Sequence, residues 1–264
     1  GSRDLVILSH GLEGSSTRPY VKGMARFFAD RGWDVLAWNC RTCAGEMNEQ
    51  LRLYNHGDID DIGEVISHAL RTKDYERIAL IGFSMGGSIT MKYLGVQGKE
   101  APEAIRAGVA FSSPCDLRAS VDALELPGNK FYKNRFLKSL RPKIAAKAAR
   151  YPDIVDLSKF GEIRQWKDFD DFYSAPINGY ESAEDFYYQA SAKNYMSGTD
   201  RPILLVNATN DPILLPACSP ESVCEKHPLI FLEQPQQGGH VGFDLPRTPF
   251  AWSEPRAYQF ITRN

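Results

Sequence analysis

Gly82-Phe83-Ser84-Met85-Gly86, with Gly87 behind it, has the G-x-S-x-G spacing of a nucleophile elbow. In such a turn a sharp strand-to-helix reversal holds the serine backbone in a strained conformation, and small flanking residues let neighbouring segments approach. A serine hydroxyl is a weak nucleophile until a positioned base takes its proton. The chain offers five histidines. His68 falls inside a helical pattern, His227 precedes a proline on the approach to a strand, and His10 and His56 lie in earlier loops. His240, in Gln237-Gly238-Gly239-His240-Val241-Gly242, follows the last apolar strand and is the expected base.

The chain order serine, acid, histidine asks for an acid between positions 84 and 240. Asp211, in Asn207-Ala208-Thr209-Asn210-Asp211-Pro212, ends the preceding strand and lies 29 residues before His240. Its role would be to fix the imidazole tautomer and stabilise the imidazolium. Asp116, just beyond the fourth strand, is the rival, and Asp244 is too close to His240 in sequence to be preferred. An oxyanion hole needs two backbone N–H groups aimed at the developing charge. Met85, immediately after the nucleophile, would supply one. Leu12, in the loop His10-Gly11-Leu12-Glu13-Gly14, would supply the other. His10 is then expected to shape that loop by hydrogen bonding rather than to act as a second base.

These groups need strand ends and helix starts to hold them. Leu5–Leu8, Trp33–Asn39, Arg77–Gly82 and Ile105–Ser112 read as buried strands. Helical patterns near 19–31, 58–71 and 84–97 alternate with them. Continuous apolar strands separated by helices indicate a parallel sheet covered on both faces. The rhythm stops from about Cys115 to Thr199, a charged, aromatic and helical stretch, and resumes at Pro202–Asn207 and Pro228–Glu233. A last amphipathic helix is expected over 250–261. The organisation is therefore a core of 1–114 and 200–264 with a helical cap or lid at 115–199.

Asn129–Arg150 carries eight Lys/Arg and no acid, whereas Asp153–Asp185 is acidic, so the two are expected to neutralise each other, with Pro142 interrupting the first. A lipid-facing surface, and with it peripheral membrane contact, is the alternative for the basic stretch.

With 264 residues, 43% hydrophobic and 24% charged, the chain has material for a substantial core. A net charge of −2 gives no reason for a nucleic-acid partner. No apolar run approaches the roughly 18 residues of a membrane span, and no signal segment is visible. Five scattered cysteines, odd in number, fit reduced thiols, so a cytoplasmic setting is expected. Cys40 and Cys43 have no second pair to complete a zinc site, so no metal or other cofactor is expected.

Four segments carry a family resemblance: His10-Gly11-Leu12-Glu13-Gly14-Ser15, Gly82–Gly87, Asn210-Asp211-Pro212 and Gly238-Gly239-His240-Val241-Gly242-Phe243. Together they resemble the YheT-like α/β-hydrolases, a group similar to plant embryogenesis-associated hydrolases and the lipid-active ABHD proteins of animals. Tyr54-Asn55-His56-Gly57 and Ala148–Pro152 extend the similarity over nearly the whole chain. The resemblance implies an α/β-hydrolase fold with a helical cap and a serine esterase or lipase-like activity, with Ser84, Asp211 and His240 as triad. Thr42, in Arg41-Thr42-Cys43-Ala44-Gly45, departs from the family's usual glycine. The chain also starts at the strand before the His-Gly loop, so the fold's earlier N-terminal strands are expected to be absent. His56 and Asp61 have an H-x4-D spacing similar to an acyltransferase pattern of some relatives, but aspartates clustered at a helix start are common.

The expected reaction is hydrolysis of a small carboxylic ester, short- to medium-chain or lipid-like, through an acyl-enzyme. An acyltransferase, an amidase or thioesterase, and a non-catalytic binding module on the same fold are the alternatives.

Overall fold

The computed structural model describes residues 2–264. Six strands, β1 (Asp4–Ser9), β2 (Asp34–Trp38), β3 (Arg77–Phe83), β4 (Ile105–Phe111), β5 (Ile203–Val206) and β6 (Ile230–Glu233), form one all-parallel sheet ordered β2-β1-β3-β4-β5-β6. Successive side chains of a strand point to opposite faces, and both faces are covered. Leu5 and Ile7 pack with Ile62, Ile66 and Ile89 from helices α2 (Asp60–Thr72) and α3 (Met85–Gln97). Val6 and Leu8 pack on the other side with Met24, Phe27 and Phe28 of helix α1 (Pro19–Ala29) and Phe260 of the C-terminal helix Ser253–Arg263. This two-sided burial is why the strands read as unbroken apolar runs.

From β1 the chain moves outward to β2 and then returns past β1 to β3, so the winding direction reverses between β1 and β3. In open α/β sheets ligands bind outside the carboxyl ends of the strands at such a point. The register lines those ends up: Ser9 pairs with Gly82, Phe83 with Phe111, Phe111 with Val206, and Val206 with Glu233. The loops carrying Leu12, Ser84, Asp211 and His240 all leave the same edge of the sheet.

The segment between β4 and β5 contains helices and turns and no strand. It holds a separate apolar cluster that includes Leu140, Ile144, Trp166, Phe169, Tyr173 and Phe186. Two expectations fail here. Helix α5 (Lys130–Arg150, after α4 at Leu117–Leu124) runs through Pro142 without a break. Pro142 is exposed, so the carbonyl one turn earlier that loses its N–H partner can turn to water. Nor do the acids of 153–185 neutralise α5. Its cations pair with Glu13, Glu125 and Glu49 instead, and the buried Lys147 ammonium donates to the Asn48 carbonyl and side-chain oxygens at 2.8 and 2.9 Å. Glu13, Asn48 and Glu49 come from the core, while Glu125 follows α4 within the helical segment.

Among the described residues no helix is long and apolar enough to cross a membrane.

Candidate active site

Ser84 sits between β3 and α3 with φ +54° and ψ −120°, a conformation that L-residues rarely adopt. The glycines of the elbow make it possible: a Cβ on Gly82 would collide with the Gly86 carbonyl, and one on Gly86 with the Ser9 carbonyl of β1. The Ser84 N–H donates to the Phe111 carbonyl at 2.8 Å, tying the elbow to β4.

The His240 Nε2 lies 3.0 Å from the Ser84 Oγ, and its Nδ1 lies 2.9 Å from the Asp211 Oδ2. The Asp211 side chain is fully buried and its other oxygen accepts from the Ile213 N–H at 3.1 Å. Three side chains from separate loops thus form one hydrogen-bonded chain, with the carboxylate at the closed end. Asp116, the rival acid, caps α4 by accepting from the Ala119 N–H and pairs with Lys193.

The loop that carries His240 is held by residues the sequence reading passed over. Val241 has φ +60°, unfavourable for a β-branched residue, and its N–H donates to the Ser112 Oγ at 2.9 Å. The Gly239 N–H donates to the Asn210 side chain at 2.9 Å. The Asn207 side chain accepts from the Ser113 N–H at 2.8 Å and donates to the Cys218 carbonyl at 3.0 Å, locking the ends of β4 and β5 together. The only local signal was polar residues clustered at strand ends.

Among the described residues, neither Leu12 N–H nor Met85 N–H has a backbone or side-chain acceptor in a loop contact. Met85 is also the first residue of α3, where the helix itself offers no acceptor and its dipole favours negative charge. The Gly11 carbonyl, on the same peptide as the Leu12 N–H, accepts from His10 Nδ1 at 2.7 Å and from the Gly14 N–H at 2.9 Å. The His10 Nε2 accepts from the Cys40 N–H at 3.1 Å. A trans peptide points its N–H opposite its C=O, so His10 turns the Leu12 N–H outward. Burial lowers the His10 pKa and keeps the ring neutral, as this one-donor, one-acceptor role requires. His10 is therefore a loop-shaping group.

The next residue, Glu13, has φ +54°. Its nearly buried carboxylate accepts from the Tyr54 and Ser139 hydroxyls and pairs with Lys143 at 2.6 Å, joining the Leu12 loop to α5.

Other candidates part company. Asp61 pairs with Arg41 and Arg52, so the H-x4-D spacing brings no acid to His56. Burial pushes His56 down to about 4, and its ring borders an internal cavity. Thr42 has φ +65°, in the left-handed region that favours glycine, with its hydroxyl buried and unpartnered. Burial raises the Cys40 and Cys115 thiols, so neither supplies a thiolate near neutrality. Among the described residues no three His, Cys, Asp or Glu side chains converge as metal ligands.

Above Ser84 opens a cleft of about 410 Å³ bordered by Leu12, Arg18, Tyr132, Arg135, Phe136 and His240.

Known proteins share this fold. The chain is 31% identical over 265 residues to YheT of Escherichia coli, covering 97% of this chain and 76% of that protein. It is 26% identical over 243 residues to phospholipase ABHD3 of Mus musculus, covering 92% of this chain and 59% of the relative. It is 26% identical over 260 residues to a monoacylglycerol lipase of Saccharomyces cerevisiae, covering 95% and 57%. The chain thus spans less than two thirds of these last two relatives. The solved esterase Pf2001 of Pyrococcus furiosus superposes with a TM-score of 0.66 at 20% identity, over 100% of this chain and 83% of that one. The α/β hydrolase fold family matches residues 4–246. By that match, together with its parallel sheet and its elbow, the chain belongs to the α/β-hydrolase fold family.

Proposed function

We propose that this protein hydrolyses carboxylic esters through an acyl-serine intermediate on Ser84. The broad class, carboxylic ester hydrolase, follows from the family and from relatives named as phospholipase and monoacylglycerol lipase. The finer reading rests on one observation: the unbroken chain from Ser84 Oγ through His240 to the buried Asp211 carboxylate.

In the first half-reaction His240 Nε2 takes the Ser84 proton as Oγ attacks the ester carbonyl. Asp211 holds the other ring nitrogen and balances the imidazolium charge. The Leu12 and Met85 N–H groups receive the oxyanion, in a position fixed before substrate arrives, which is where most of the rate enhancement arises. His240 then gives its proton to the leaving alcohol. In the second half-reaction His240 activates water, which releases the acid and restores Ser84. We read residues 115–199 as a cap whose helix α5 forms one wall of the cleft. The substrate class we favour is a small amphiphilic ester. All five cysteines are free, as a reducing compartment such as the cytoplasm keeps them.

The test is turnover of p-nitrophenyl esters and labelling by a fluorophosphonate. Ser84→Ala is expected to abolish labelling and to lower kcat by roughly 10⁴-fold or more. Wild-type turnover retained by Ser84→Ala would sink the assignment.

A further inference from the structure

A second cavity, of about 50 Å³, lies between the helical segment and the core loops that carry Leu12 and residues 53–56. Leu53, Leu140, Ile144, Trp166, Ile177 and Phe186 give it apolar walls. Its polar neighbours are mostly occupied elsewhere. Asp170 accepts from the Tyr187 hydroxyl at 2.8 Å, and Asn178 accepts from the Leu53 N–H and donates to the Ser174 carbonyl. What faces the space is therefore chiefly methyl groups and rings.

This cavity and the Ser84 cleft share one bordering residue, Leu12. Its side chain packs against both the sheet core and the apolar cluster of the helical segment. Beside it the Phe136 ring, on the cleft side, meets the Trp166 ring, on the cavity side, edge-on at 6.0 Å between centroids. The residue proposed to bind the oxyanion through its N–H thus also stands between the two compartments.

The mechanism tells the compartments apart. The leaving alcohol must exit on the side of His240, which protonates it. His240 borders the Ser84 cleft, together with Arg18, Arg135 and Ser139, and does not border the cavity behind Leu12. We infer that the cavity behind Leu12 receives the tail of an unbranched aliphatic acyl chain, while the alcohol moiety occupies the cleft, so that Leu12 sets acyl-chain specificity. This rests on the acyl-serine reading above and deepens it to a substrate class.

Size sharpens the class. One water-sized group needs roughly 10–15 Å³ of such space, so the cavity holds about four methylene-sized groups. Allowing about two carbons to pass Leu12, a chain of roughly six carbons fills it. Each methylene moved out of water contributes about fourfold in kcat/KM.

The experiment is a p-nitrophenyl ester series from acetate to palmitate, run on wild type, Leu12→Ala and Ile177→Phe, with Ser84→Ala as blank. In wild type kcat/KM is expected to climb to hexanoate and fall by decanoate. Leu12→Ala, which merges the compartments, is expected to raise the decanoate-to-hexanoate ratio at least fivefold. Ile177→Phe, which fills the cavity, is expected to lower the hexanoate-to-acetate ratio at least tenfold. Should Ile177→Phe fail to fold, shown by loss of fluorophosphonate labelling, the Leu12→Ala ratio decides. Ser84-dependent hydrolysis with an unchanged acyl profile in Leu12→Ala overturns the pocket. So does a change that follows alcohol length in a matched series of acetate esters. Absence of any Ser84-dependent hydrolysis in wild type overturns the acyl-serine reading itself.

Discussion

The His10 Nδ1 stands 2.7 Å from the Gly11 carbonyl oxygen, and this bond decides which way the Leu12 N–H faces. The other ring nitrogen, Nε2, accepts from the Cys40 N–H and fixes the tautomer. Replacing His10 by Ala leaves the Gly11–Leu12 peptide held by the Gly14 N–H alone. We expect kcat to fall by roughly 10²-fold, the scale of losing one oxyanion donor, with KM changing much less. Steady-state kinetics on a short ester checks this, and a fall confined to KM would contradict it.

The bond from the Val241 N–H to the Ser112 Oγ holds a strained residue directly after His240. Ser112→Ala removes one hydrogen bond of about 1 kcal/mol from a loop that must keep His240 aligned. The expected result is about a tenfold loss of kcat, with Ser112→Thr recovering part of it. A merely structural role would shift the melting temperature and leave kcat of the folded fraction unchanged.

Glu13 and Lys143 form a nearly buried ion pair, 8% and 14% exposed, bridging the Leu12 loop and α5. Lys143→Met strands the carboxylate, and breaking such a pair costs about 3 kcal/mol. The double variant Glu13→Gln, Lys143→Met leaves no buried charge and is expected to recover more than half of that loss. Urea denaturation of the single and double variants measures both.

Burial pushes Asp170 up to about 7, from 3.8 in the unfolded chain. Between these values the folded protein binds a proton that the unfolded chain has released. Stability from this group is therefore full at low pH and is lost as pH rises toward 7, at up to about 1.4 kcal/mol per unit. Asp170→Asn keeps an acceptor for the Tyr187 hydroxyl and cannot titrate. We expect the two proteins to be close in stability at pH 4 and the variant to be the more stable at pH 8. Equal stability differences at both values would remove the assignment.

Much of the site was legible because its signals are local. An elbow needs small residues two positions either side of Ser84, since backbone segments would otherwise collide there. Strand and helix periods are likewise set within a few residues, so all six strands were readable. The failures involve long-range choices. Local propensity says Pro142 breaks a helix, yet its exposure on α5 lets water take the freed carbonyl. Charge patterning pairs neighbouring runs, yet the partner of Lys143 is Glu13, 130 residues away.

Residue types and spacing alone name the candidate groups and the strand ends that carry them: Ser84, Asp211, His240, and the peptides of Leu12 and Met85. Their identities depend on residue chemistry and on backbone conformations coded by adjacent residues. Only packing set the 3.0 and 2.9 Å contacts of His240, the engagement of the rival Asp116 with Ala119 and Lys193, and the placing of Leu12 between the Ser84 cleft and the cavity behind it. The His240 contacts join segments 29 and 156 residues apart. They exist only when packing brings separate strand ends and the helical segment to one place, which no local pattern encodes.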